Sequence, residues 1–214
     1  MATAKTRDKI LDSFLTLLKT HPYGDVTLSK IADEAGVKLS VLREAYDGKI
    51  ALIEEFARKI DAAVLDDIDE DVADELPRER LMDVLLSRFD ALGPHKEVIR
   101  TMLAEARNDL AFAAKLNRIT LVSMTWMLNA ANINTGGMDG ALRVQGTAMV
   151  FAKVLRTWVD DDESMAKTMA KLDKELRSGE RMMKRMDRMS SMMAPLKRFK
   201  TRKRARQASE ETAV

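Results

Sequence analysis

A chain of 214 residues with 46% hydrophobic content, 9 Gly and 4 Pro can bury one sizeable core and falls in the mostly helical class. The absence of Cys excludes disulfides, thiolate metal sites and cysteine nucleophiles. The net charge of +2 is unevenly divided: Ser191 to Val214 holds seven Lys or Arg against two Glu, so the tail is basic and the chain before it net acidic. No signal peptide and no bilayer-spanning apolar run is evident, so a cytoplasmic protein is expected.

After a loose start over residues 1–5, Ile10, Leu11, Phe14, Leu17 and Leu18 recur at helical spacing and predict a helix ending near His21-Pro22-Tyr23-Gly24. Lys5 and Arg7 lie within reach of phosphates if this region binds DNA. Leu28, Ile31, Ala32 and Ala35 then form one side of a short helix, Gly36 breaks it, and Val37, Val41, Leu42 and Tyr46 form one side of a second. This is a helix-turn-helix: Thr27 can cap the first helix, and Gly36 can take the left-handed turn conformation without steric penalty. Two helices so joined present the start of the second to a DNA major groove while the first crosses the phosphates.

A fourth helix is predicted from near Asp47, with Ile50, Ile53, Phe56, Ile60 and Val64 as its apolar stripe. Asp66, Asp67, Asp69, Glu70, Asp71, Asp74 and Glu75 crowd its end, where a helix favours cations, so it should stop there and Pro77 should open the next helix. The acidic run reads as a linker, since no Gly or Asn gives it calcium-loop spacing. Beyond it come Leu81, Val84, Leu85 and Phe89, stopped by Gly93-Pro94, and then Val98, Ile99, Met102, Leu103 and Ala106. Phe112, Leu116, Ile119, Ser123, Trp126 and Ala130 predict a further helix, followed by turn-rich residues from Asn132 to Gly140.

From Ala141 to Asp160 a helix is apolar on two sides, Leu142, Met149 and Val154 on one and Val144, Phe151 and Leu155 on the other, so it is central or lies in an interface. Met165, Met169, Leu172 and Leu176, then Met182, Met186, Met189 and Met193, repeat one helical spacing around Gly179, and Pro195 ends the pattern. The basic run from Lys197 to Arg206 closes the chain. No strand signal occurs, and the expected fold class is all-α.

Chemistry is sparse. His21 and His95 are isolated, each beside a Pro, and read as turn or surface residues, not as a metal pair. No nucleophile, base and orienter can be assembled and no Gly-rich phosphate loop occurs, so no enzyme, cofactor or metal site is expected.

Arg7, Ile10 and Leu11, Phe14 and Leu18, Gly24 and Thr27, Ile31-Ala32, Ala35-Gly36-Val37, Leu42, Tyr46, Lys49 and Leu52 together resemble the N-terminal domain of the tetracycline-repressor (TetR) family of regulators. The resemblance implies a three-helix helix-turn-helix domain over residues 1–52 and a helical bundle over residues 53–194, which dimerises, can hold a small apolar effector and includes the linking helix. Residues 195–214 are expected to form a basic, disordered tail. It also implies a double-stranded DNA operator as partner of a homodimer. One departure stands out: where the family usually has Thr-Leu-Tyr-Tyr-His-Phe after a small residue and Gly, this chain reads Leu39-Ser40-Val41-Leu42-Arg43-Glu44-Ala45-Tyr46, so Arg43 replaces the usual phosphate-contacting Tyr and Lys38 the N-cap Ser. On this chain Lys38 and Ser40 stand where base edges are met, Thr27, Arg43 and Lys49 where phosphates are, and Leu39 is counted with them as a DNA-binding position.

Met124, Trp126, Met127, Met149 and Phe151 are either core fillers or the lining of an apolar effector cavity. The tail is either the finish of a bundle interface with a solubilising arm, or, through Arg181 to Arg206, a helix for an anionic membrane or a partner's groove. Trp126-Met127-Leu128, Leu155 and Trp158-Val159-Asp160 are loosely similar to the lipid-binding proteins of ubiquinone biosynthesis that have a TetR-like fold. That similarity implies the alternative of a lipid- or membrane-associated accessory protein that does not bind DNA.

Overall fold

The computed structural model describes residues 2–68 and 75–181, and among these the chain is all-α. Helix α1 spans Ala4–Thr20, started by Thr3, whose hydroxyl accepts from the Thr6 amide at 3.2 Å. A single 3-10 turn at Tyr23–Asp25 leads to α2 at Leu28–Glu34 and α3 at Leu39–Ala45. The long α4 covers Lys49–Asp66. Pro77, with no amide hydrogen to satisfy, opens α5 at Pro77–Leu92. Then follow α6 at Lys96–Asn108, α7 at Leu110–Ala130 and α8 at Gly137–Trp158. Asp109 caps α7 by accepting from the amides of Ala111 and Phe112 at 2.8 and 3.0 Å. Residues 166–173 are helical and close the first compact unit; in the second unit residues 174–181 are helical.

The stripe of α1 is the floor of the N-terminal part: Ile10, Leu11, Phe14 and Leu18 are buried where α1 meets α2, α4 and α6. Helix α4 packs on α5 and α7, and α7 packs on α8. Phe89 of α5 stacks on Phe151 at 5.1 Å and lies 5.7 Å from Trp158, so the ends of α5 and α8 share one aromatic core. The chain after α8 is tied by Asp161, whose carboxylate accepts from both the amide and the hydroxyl of Thr168 at 2.7 Å.

As expected, α5 stops at Gly93-Pro94, closing at Leu92; Gly93 is right-handed (φ −46°, ψ −50°), and a 3-10 turn at Gly93–His95 leads into α6. His95 lies in that turn, half-buried and edge-on to the Phe56 ring at 4.9 Å. Helix α8 begins one turn before Ala141, made possible by Gly140, where a Cβ would come within 2.1 Å of the Thr135 carbonyl.

Helix α7 is rotated from the expected stripe. Met124, Met127 and Leu128 are buried while Trp126 is 54% exposed, because α7 is apolar almost all round and its neighbours choose the inward face. Leu28 of α2 is likewise exposed. Asp69 to Asp74 of the acidic linker, the methionines from Met182 onward and the basic run lie outside the described residues, as does all but Arg181 of the expected membrane-contacting segment.

Candidate nucleic-acid interface

The turn between α2 and α3 follows from local chemistry. Thr27 accepts from the Lys30 amide at 3.2 Å and starts α2. Gly36 adopts φ +60°, which lets its own amide donate to the Asp33 carbonyl at 3.0 Å and the Val37 amide to that of Ala32 at 2.9 Å. Those paired bonds close the end of α2 and aim the chain into α3. Lys38 stands at the N-cap of α3 in an extended conformation, and its side chain makes no capping hydrogen bond.

What seats α3 is a pair of cation and ring contacts that periodicity does not reveal. Arg7 donates to the Ala45 carbonyl and lies over the Tyr46 ring at 4.4 Å, while the Tyr46 hydroxyl donates back to the Arg7 carbonyl at 3.2 Å. Burial pushes the Tyr46 phenol above its ordinary range. Lys49 donates to the Tyr23 carbonyl at 2.8 Å with its ammonium 3.8 Å from the Tyr23 ring, and that ring packs on Phe112 at 4.3 Å. Burial pulls Lys49 below the usual lysine range, against the field of Glu105, and pushes the Tyr23 phenol up to about 12, with Glu105 and Asp109 adding to the rise.

The expected contact residues therefore divide. Lys38, Leu39, Ser40 and Arg43 are exposed at α3, Leu39 to 50%. Arg43 pairs with Asp47 one turn on, in water. Thr27 is exposed, its oxygen engaged in the cap. Lys49 and Arg7, expected at phosphates, are turned inward onto Tyr23 and Tyr46.

Of the five residues considered for an effector cavity, Met124 and Met127 are fully buried, Trp126 and Met149 are each about half exposed, and Phe151 lines a cleft. That cleft, of about 250 Å³, lies between α6, α7 and α8, with Leu103, Leu116, Phe151 and Leu155 in its wall and Arg107 and Arg156 beside them. Close to Phe151 is also a buried polar cluster. Arg88 of α5 donates to Asp61 of α4 and to Ser123 of α7 at 3.1 Å, Ser123 donates to Asp61 at 2.8 Å, and the guanidinium lies 5.4 Å from the Phe151 ring. Burial pulls Arg88 below the usual arginine range, and Asp61 opposes it. Both charges interrupt otherwise apolar helix faces, which is the sequence sign of such a pair. No group of His, Asp or Glu among the described residues is placed to hold a metal ion.

No protein-family model and no curated protein matches the chain. Solved structures do. A TetR transcriptional regulator from Nitrosomonas europaea has the same fold at a TM-score of 0.64 and 20% identity, over 82% of this chain and 98% of that one. A TetR transcriptional regulator from a Rhodococcus species follows at 0.57 and 16%, over 82% and 96%. The regulator FadR from Bacillus subtilis, solved in complex with stearoyl-CoA, aligns at 0.54 and 19%, over 80% and 96%. The fold is thus TetR-like across the described helices.

Proposed function

We propose that this protein is a DNA-binding transcriptional regulator that works as a homodimer and responds to a small effector with an apolar body. The observation that carries the proposal is an α3 seated by its buried side while Lys38, Leu39, Ser40 and Arg43 stay in solvent at the end of a TetR-like fold. Cationic and hydroxyl groups of this kind suit phosphates and base edges in a major groove. The dimer is supported by apolar side chains left in water on two adjacent helices: Val122 and Trp126 of α7, Met138, Leu142 and Met149 of α8. A two-fold axis through that face sets two copies of α3 a fixed distance apart, as a palindromic operator requires. The cleft beside Phe151 is the place for the effector, by analogy with the acyl-CoA complex of the Bacillus subtilis regulator. Among the described residues no helix is long and apolar enough to cross a membrane.

The test is fluorescence anisotropy on DNA from upstream of the protein's own operon at fixed moderate salt. Lys38→Ala and Arg43→Ala should each weaken binding by about 1–3 kcal/mol if they meet bases and by less if they meet only phosphate. Asp47→Ala should tighten it, since it removes the anion that now holds Arg43. Unchanged affinity in all three variants overturns the proposal.

A further inference from the structure

The effector cleft carries an unusual pair of cations. Every other arginine from Arg7 to Arg143 donates at least one hydrogen bond: to backbone carbonyls at Arg7, Arg80 and Arg143, and to carboxylates at Arg43, Arg58, Arg78, Arg88, Arg100 and Arg118. Arg107 and Arg156 make neither a hydrogen bond nor an ion pair among the described residues, and both border the same cleft. Among the described residues no carboxylate lines it. Each arginine sits in the last turn of its helix, α6 or α8, where the carbonyl end favours a cation. That preference explains either one alone; it does not bring two unpaired guanidiniums from different helices to one apolar opening, where each raises the potential felt by the other.

Deepening the effector reading above, on which its regulatory role rests, we infer that the cleft takes an amphipathic carboxylate: an apolar chain against Leu103, Leu116 and Phe151, and an anionic head between Arg107 and Arg156. The guanidinium fork matches a carboxylate with two parallel N–H bonds, so the head group brings specificity as well as charge. Asn117, exposed at the same rim, adds a neutral donor, whereas the Thr120 hydroxyl is already given to the Leu116 carbonyl at 2.9 Å. The chain's apolar contact continues to Phe151, whose ring has the Arg88 guanidinium 5.4 Å from it, so an occupied cleft reaches the cluster that joins α4 to α5 and α7.

Isothermal titration of the full-length protein with octanoate, octan-1-ol and octylammonium at constant ionic strength tests this without DNA. Octanoate should bind saturably and at least about tenfold tighter than octan-1-ol, the equivalent of about 1.4 kcal/mol, and octylammonium should not bind. The Arg107→Gln, Arg156→Gln double variant should lose the preference for octanoate and keep its melting temperature, both residues being exposed. Ala152→Trp, which fills the cleft from an exposed position on α8, should abolish binding of octanoate and octan-1-ol alike. Equal affinity for octanoate and octan-1-ol, no saturable octanoate binding, or a double variant indistinguishable from the parent overturns the inference. Operator affinity measured on the same samples keeps the two readings apart: a protein that binds DNA and ignores octanoate loses only the carboxylate, and one that binds octanoate and ignores DNA loses only the regulator.

Discussion

Around α3 the cations are held by rings and backbone carbonyls; between α4, α5 and α7 the cation is held by a carboxylate. Arg7 on Tyr46 and Lys49 on Tyr23 are only partly buried and rest on neutral rings and carbonyls. Arg88 and Asp61 are both buried, so neither can lose the other without leaving a charge in apolar surroundings. The difference fits the tasks proposed for the two regions. A surface that exchanges solvent for a ligand is seated by contacts that tolerate water, whereas the joint that carries the linking helix is locked by one that does not.

The largest effect that separates the regions is expected at Asp61. Asp61→Ala should cost about 3–5 kcal/mol in urea unfolding, and the paired change Asp61→Leu with Arg88→Met should recover most of it. A small loss in the single variant would erase the contrast. Next come the glycine positions of the bundle: Gly140→Ala forces a Cβ into the Thr135 backbone and should cost about 1–3 kcal/mol, read from the same unfolding curve.

In the helix-turn-helix, Thr27→Ala should cost about 1 kcal/mol, the value of a lost cap, and Thr27→Ser should restore it. The mildest effect is expected in alkali. The Tyr23 phenol ionises near 10 when unfolded and at about 12 when folded, so above pH 10 the unfolded chain sheds a proton that the folded one keeps. Its contribution is complete below pH 10 and is lost as pH rises toward 12. Melting curves between pH 9 and pH 11.5 should therefore fall less steeply in Tyr23→Phe, with Tyr46 supplying the remaining slope in the same direction.

The helix-turn-helix was legible because its determinants are neighbours in the chain. Thr27, Gly36 and the apolar residues Ile31, Ala32 and Leu42 act within one or two turns of themselves, and the structure places them as their spacing predicts. The seating contacts were not legible, since Arg7 reaches Tyr46 and Lys49 reaches Tyr23 across many residues. The inward stripe of α7 was misplaced for a related reason. A helix such as α7, apolar on nearly every side, has no stripe to announce which way it faces, and so Trp126 came to the surface and Met124 to the core.

Taken alone, the order of residues determined that this chain is all-α, where α2 ends and α3 starts, and that Pro77 opens α5, because caps, left-handed glycines and missing amide hydrogens act over a few bonds. Only tertiary packing decided the rotation of α7, the burial of Arg88 on Asp61 and the meeting of Arg107 with Arg156 at one cleft. Those outcomes depend on which helices face each other, and each helix's inward side is chosen by the surface its neighbours leave open.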